Sequence, residues 1–342
     1  MKLRRLIAVA AVGCLLAGIA GYNAVTRWLS TPLQIAGESI LIEIPRGQPL
    51  GVTARELASR GVLDHPQLLL AYARYTGADS RIHAGEYRIA AGTTPLELLD
   101  LLQEGAVVQH AITFLEGWTF RDLRRALQKA EPLEHRTMGM SDLEVMAALG
   151  EPGQHPEGLF FPDTYFYGKG MTDLELLAIA RQRMQRELDA AWQERERDIP
   201  ISSPYEALVL ASIVEKETAL PSERRRVAGV MTTRLKRGMR LQTDPTVIYG
   251  IGPDYDGNLR RADLERDTPY NTYTRQGLPP TPIAMPGAES IRAAVQPDER
   301  GELYFVATGL PDGSHKFSRT LAEHQKAVKE YLVRYRQQNR GR

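Results

Sequence analysis

The sequence predicts an α+β protein: an N-terminal transmembrane helix, a small α+β module and a larger mixed α+β domain. Three observations carry this. Residues 6–26 hold no charged side chain. Between residues 40 and 129, short alternating stretches, each followed by a turn and a helical apolar pattern, recur three times. Beyond residue 172, longer amphipathic patterns are separated by polar loops rich in Pro and Gly. The 342-residue length suits about two domains at roughly 100–200 residues each. With 43% hydrophobic and 25% charged residues, the composition is ordinary for a globular protein. It excludes a disordered, collagen-like or polytopic membrane chain. The 43 Lys+Arg against 42 Asp+Glu also argue against nucleic acid as a partner, since its binders carry a basic excess.

The uncharged run Leu6–Thr26 follows Lys2, Arg4 and Arg5 and precedes Arg27. About 20 apolar residues cross a bilayer as a helix, and basic residues on the N-terminal side keep that end in the cytoplasm. The expectation is a cytoplasmic stub over 1–5, a transmembrane helix over 6–26, a linker over 27–38 and an exported remainder. Two other readings stay open. One is a cleaved signal peptide, with Gly18 and Ala20 near the cleavage site. The other is a lipid-modified Cys14, although Ala11-Val12-Gly13 before it is a poor lipidation signal. All three export the chain. Cys14 is the single cysteine, so neither an intrachain disulfide nor a thiolate metal site is available. The seven His fall at no metal-ligand spacing, and no metal or cofactor is expected.

The three repeated units run as follows. Ile40–Ile44 alternates as a strand, Pro45–Gly47 turns, and Val52–Arg60 reads as a helix closing at Gly61. Tyr87–Ile89 is a second strand, Gly92–Pro95 a turn with N-cap chemistry, and Leu96–Gln103 a helix ending at Gly105. Ala111–Phe114, Glu116-Gly117 and Phe120–Lys129 form the third unit. Residues 131–170 read as loop and linker. Within them lies Glu157-Gly-Leu-Phe-Phe-Pro-Asp163-Thr-Tyr-Phe-Tyr167, five aromatics beside Glu157 and Asp163. This stretch suits either a sugar-stacking wall or a buried hydrophobic knot, and aromatic clusters mostly serve as buried area.

Residues 172–196 read as a helix, and Pro200 and Pro204 then break the chain. Tyr205–Thr218 reads as a helix capped upstream by Ser203-Pro204. It carries Glu215 and Glu217, two residues and about 200° apart on a helix of 3.6 residues per turn. Leu210, Ile213, Val214 and Glu217 fall at i, i+3, i+4 and i+7, so Glu217 continues the apolar stripe. A carboxyl held against apolar surface has its pKa raised and can donate a proton near neutrality. Glu217 is the better general-acid candidate; the plain alternative is a solvated residue at the helix end.

A second amphipathic helix spans Ser222–Lys236, with Val227, Val230, Met231, Arg234 and Leu235 on one face. The stretches 239–250 and 270–287 are dense in amide, hydroxyl and aromatic side chains. Gln242, Asp244, Asn271 and Tyr273 have the chemistry to bind sugar hydroxyls and N-acetyl groups from such loops. Asx-turns without a ligand use the same residue types. Leu303–Ala307 is a strand, Gly313–Phe317 a turn into a second short strand, and Leu321–Tyr335 a closing helix. His315 and His324 read as structural.

Several long motifs occur in order: Ala211-Ser-Ile-Val-Glu-Lys-Glu-Thr218, Arg240-Leu-Gln-Thr-Asp-Pro-Thr-Val-Ile-Tyr-Gly250, Tyr270-Asn-Thr-Tyr273, Gly277-Leu-Pro-Pro280 and Pro286-Gly287. With Glu157-Gly-x-x-x-Pro162-Asp-Thr164 and the N-terminal run, the chain resembles the endolytic murein (peptidoglycan) transglycosylases, the YceG-like proteins, over essentially its whole length. The resemblance implies an inner-membrane protein with a LysM-like module, set at 39–108, and a catalytic transglycosylase domain, set at 109–342. It implies cleavage of glycan strands between N-acetylmuramic acid and N-acetylglucosamine, leaving 1,6-anhydro ends. It also implies a role in ending glycan elongation near peptidoglycan synthases. The family's catalytic Glu corresponds to Glu217, and Gln242, Asp244, Tyr249, Asn271, Tyr273, Glu157 and Asp163 become substrate-binding candidates. A single carboxyl suffices when the sugar's own C6 hydroxyl is the nucleophile, whereas hydrolysis generally takes two. Two rival readings remain: a hydrolytic muramidase with Asp244 or Asp163 as second carboxylate, and a non-catalytic peptidoglycan-binding scaffold.

Overall fold

The computed structural model describes the backbone of residues 2–339 and the side chains of residues 12–338. The chain begins with helix α1 (Lys2–Leu29). The side chains of residues 6–11 within the expected transmembrane stretch lie outside the described residues. Its described part, Val12–Thr26, is shorter than the about 20 apolar residues a span needs. Among the described residues no helix is long and apolar enough to cross a membrane. The transmembrane helix expected over 6–26 lies partly outside the described residues, and its described part does not support a span. Cys14 is free and exposed.

The chain divides into two compact units. Residues 1–110, 132–134 and 166–171 form the first; residues 111–131, 135–165 and 172–342 form the second. In the first unit, strand β1 (Ser39–Ile44) pairs antiparallel with β2 (Gly85–Ala90), with Ile42 opposite Tyr87 and Ile40 opposite Ile89. Alternation puts Ile42 and Ile44 of β1, and Tyr87 and Ile89 of β2, into the core. Between the strands run α2 (Leu50–Ser59) and α3 (Pro66–Thr76), the latter unread in the sequence, where Leu68–Ala73 is an unbroken apolar run with no amphipathic period. Helix α4 (Pro95–Glu104) follows. Thr94 and Glu97 form a reciprocal capping box at its start, and Gly105 ends it at φ +66°. Leu57, Leu69, Leu98, Leu99 and Leu102 complete this core.

Strand β3 (Gln109–Thr113) leads to α5 (Phe120–Gln128), then α6 (Asp142–Ala148) and β4 (Thr164–Gly168), where the sequence suggested mainly loop. Four of the five aromatics between residues 160 and 167 are buried, with only Phe166 exposed. Phe160 stacks on Phe120, Tyr165 lies against Phe114, and Arg183 covers the ring of Phe161. The stretch is thus a hydrophobic knot, not a sugar wall.

Helices α7 (Asp173–Gln193), α8 (Pro204–Glu217) and α9 (Pro221–Lys236) form the heart of the second unit. They are followed by α10 (Asp244–Ile251), α11 (Arg261–Glu265), α12 (Ala288–Val295), the antiparallel hairpin β5 (Tyr304–Ala307) and β6 (His315–Ser318), and α13 (Leu321–Asn339). Every α8 residue from Ala207 to Val214 is buried, as expected of a helix apolar on all sides. It is enclosed by α7, α9, α10 and α12. On α9, Gly229 lies so close to the Asp298 carbonyl that a Cβ there would collide with backbone. The fold therefore delivers the last turn of a fully buried helix to the wall of a cavity.

Candidate active site

Helix α8 ends in two carboxylates with different surroundings. Glu215 accepts the Gly287 amide N–H at 3.0 Å and sits 3.6 Å from the Arg224 guanidinium, its side chain 6% exposed. Ser212, one turn earlier, accepts the Ile283 N–H at 3.0 Å. These two side chains strap the loop before α12 onto α8. Arg224 also reaches Glu116 at 3.4 Å.

Glu217 instead lines a cavity of about 470 Å³ formed by α9, the 241–244 loop, Tyr273, the β5–β6 hairpin and α13. Desolvation pushes its carboxyl up to about 7, and the Asp244 charge adds to the rise. The Thr243 hydroxyl and the charges of His315 and Arg234 act in the opposite direction. Thr243 Oγ1 is buried with no partner at full hydrogen-bond distance. At neutral pH such a carboxyl exists in both protonation states, which suits a group that gives a proton and then takes one back.

The opposite wall is built around Arg234. Its Nε donates to the Leu303 carbonyl and its Nη1 to the Leu241 carbonyl, both at 2.7 Å, and its guanidinium lies over the Tyr304 ring. This fixes the loop bearing Gln242, which has φ +51° and is the single non-glycine residue of positive φ among the described residues. Backbone strain of this kind recurs at functional sites. The Gln242 N–H donates to the Thr272 carbonyl at 3.1 Å. Asp244, the first residue of α10, accepts the Tyr273 hydroxyl at 2.5 Å. Tyr304 and Phe305 also line the cavity, the Tyr304 ring being covered by Arg234 and stacked on His324.

The fold thus gathers Glu217, Gln242, Asp244 and Tyr273 in one cavity. Asn271 is fully buried; its Nδ2 donates to the carbonyls of Asp263, Leu264 and Arg266, and its Oδ1 accepts the Tyr273 N–H at 2.8 Å. Nothing on it is left for a ligand, and it positions Tyr273. Glu157 and Tyr249 lie together on a second cavity of about 860 Å³. Glu157 accepts the Phe120 N–H at 2.9 Å and the Tyr249 hydroxyl at 3.0 Å, and burial pushes it up to about 7. Asp163 lines neither cavity; it accepts the Thr164 N–H and pairs with Arg183.

Several cavity residues were not site candidates in the sequence, among them Arg234, Thr243, Tyr304 and His315, the last of which read as structural. Arg234 had a signal, a charge within the apolar stripe of α9. His315 had none. Its N–H and Nδ1 meet the two Glu223 oxygens at 2.9 and 2.7 Å, a pairing 92 residues apart in sequence.

The family model described as the YceG-like family matches residues 42–330. The chain is 32% identical over 311 residues to an endolytic murein transglycosylase of Bacillus subtilis strain 168, covering 86% of this chain and 85% of that protein. It is 25% identical over 327 residues to an endolytic murein transglycosylase of Streptococcus pneumoniae strain D39, of which it spans 58%. A 2.6 Å crystal structure of a putative yceG-like protein from Listeria monocytogenes is similar to it, with a TM-score of 0.53 and 29% identity. That match covers 85% of this chain and 99% of the other. On a family match that spans residues 42–330 and so runs through the end of α8 and the loops around it, the chain belongs to the YceG-like family.

Proposed function

We propose that the protein is an endolytic lytic transglycosylase of peptidoglycan, with Glu217 as its acid and base. The observation that carries this is Glu217 itself: one carboxyl, raised to about 7, on an open cavity walled by amide, hydroxyl and aromatic groups. The names of the curated relatives support the substrate class. In the reaction, protonated Glu217 gives its proton to the glycosidic oxygen between N-acetylmuramic acid and N-acetylglucosamine, and the C1–O bond breaks. The C6 hydroxyl of the muramic sugar then attacks C1, and its proton passes to the Glu217 carboxylate. The product is a 1,6-anhydro end, no water is consumed, and the acid is regenerated. Gln242 and the Asp244–Tyr273 pair are placed to hold the sugar's N-acetyl and hydroxyl groups against the developing charge.

The test is mass spectrometry of sacculi digested by the purified protein beside its Glu217→Gln variant. Anhydro ends from the wild type alone support the reading. Reducing ends favour the muramidase reading, which draws on Asp244 in the same cavity. Equal cleavage by the variant, or none by either protein, rejects the role of Glu217.

The uncharged run behind Lys2, Arg4 and Arg5 supports attachment to the inner membrane, N-terminus inside and the remaining chain in the periplasm. The strand–helix–helix–strand arrangement of β1, α2, α3 and β2 supports a LysM-like glycan-binding role for the first unit. Termination of nascent strands beside synthases fits an anchored enzyme. Protease protection of the chain in spheroplasts tests the topology.

A further inference from the structure

The cavity of about 860 Å³ that holds Glu157 has no part in the chemistry above, although it adjoins the site closely. Lys216 lines it while Glu217, the next residue, lines the catalytic cavity; Pro245 lines it while Asp244 lines the catalytic one. Consecutive Cα atoms are 3.8 Å apart, so the two cavities share the end of α8 and the start of α10 as walls.

The charge balance of this cavity is one-sided. Of its two carboxylates, Asp142 is held by Arg124 at 2.7 Å, and Glu157 is buried and engaged by Phe120 and Tyr249. Its cations are far less satisfied. Arg121 and Arg125 stand exposed at i and i+4 on α5; Arg125 makes one long, 3.4 Å ion-paired hydrogen bond to Asp122, and Lys216 donates to the Gly117 carbonyl at 3.2 Å. The floor is apolar and aromatic, from Ile248, Pro253 and Tyr255. A ligand matched to this surface carries carboxylates on a partly aliphatic body.

We infer that this cavity binds the acidic peptide stem carried by the muramic sugar, next to the bond that Glu217 cleaves. The inference rests on the reading given under Proposed function. The stem leaves the same sugar whose C1 reacts, so its first residues fall within about one sugar of Glu217. A cationic pocket sharing a wall with the catalytic cavity is placed to receive them. Guanidinium groups pair with carboxylates through two parallel hydrogen bonds, which suits a peptide carboxylate better than a neutral sugar.

The experiment compares glycan strands that keep their stems with strands stripped of them by an amidase. Wild type, Arg121→Glu/Arg125→Glu and Arg121→Lys/Arg125→Lys are assayed on both. The expected result is a lower KM of the wild type for stem-bearing strands. The Glu pair raises that KM about tenfold and leaves stripped strands unaffected, and the Lys pair recovers most of the loss. Thermal unfolding of all three proteins reports whether the fold is kept. Equal loss on both substrates, no loss on either, or no wild-type preference for stems overturns the inference while leaving the transglycosylase reading intact. Failure of the wild type to cleave either strand overturns both.

Discussion

Glu215 accepts the Gly287 amide at 3.0 Å, whereas Glu217, two residues on, lines an open cavity. One carboxylate holds a loop, and the other faces the cavity beside Thr243. Glu217→Gln is expected to lower kcat by about 100- to 10,000-fold, the usual range for a general acid, while raising the unfolding temperature near neutral pH, because it removes a carboxyl that burial penalises when charged. Glu215→Gln is expected to cost about 1–3 kcal/mol of stability by weakening a buried charged pairing and to retain turnover in the folded fraction. Calorimetry and product release from sacculi, measured on both variants, separate the two roles.

The Glu217 carboxyl must be protonated to act as an acid, so kcat/KM is expected to fall as pH rises through about 7. The positive charge of His315 holds that value down, so His315→Phe moves the alkaline limb to higher pH. A pH–rate profile of each protein reads this directly. An unshifted limb in the variant removes His315 from the electrostatics of the site.

Glu157 titrates at about 7 when folded, against an ordinary value of 4.5. The folded state therefore binds the proton more tightly than the unfolded one. Its contribution is complete below 4.5 and is lost as pH rises to about 7. Glu217 behaves in the same direction. Chemical denaturation across pH 4.5–7 is expected to show declining stability, with a shallower slope in Glu157→Gln.

Gly229→Ala is expected to destabilise by about 1–3 kcal/mol, the usual effect of forcing atoms into a packed contact. Its Cβ would meet the Asp298 carbonyl, which belongs to backbone and cannot rotate away. Urea unfolding measures the loss. A neutral result means that the 296–300 segment yields.

Leu210, Ile213 and Val214 put Glu217 on an apolar stripe in the sequence, but α8 is buried on every side from Ala207 to Val214 and the Glu215 side chain is only 6% exposed, so helical phase alone does not separate the two carboxylates. The role of Glu215 was not legible, because Gly287 lies 72 residues away. Capping chemistry was local, and the Thr94 turn with Gly105 bounds α4 as the residue types suggest. Helices α10 and α12 escaped notice because each is eight residues long and set among Pro and Gly, so their apolar residues complete barely two turns. Asn271 and Tyr273 look alike in sequence as polar loop residues. Only tertiary partners separate the first, saturated by three carbonyls, from the second, which faces the cavity. The Glu157–Tyr249 pair, 92 residues apart, was beyond any local pattern.

The positive φ of Gln242 has a consequence for how this site can change. A glycine at that position would relax the backbone and discard the amide at once, so ease of folding and grip on a ligand pull in opposite directions at a single residue. Arg234 is what makes the compromise durable: by clamping the Leu241 carbonyl from a buried helix, it lets the loop rest in a conformation it would leave if untethered. Variation in substrate preference is then easier to reach through the side chains around this loop than through the loop's own path.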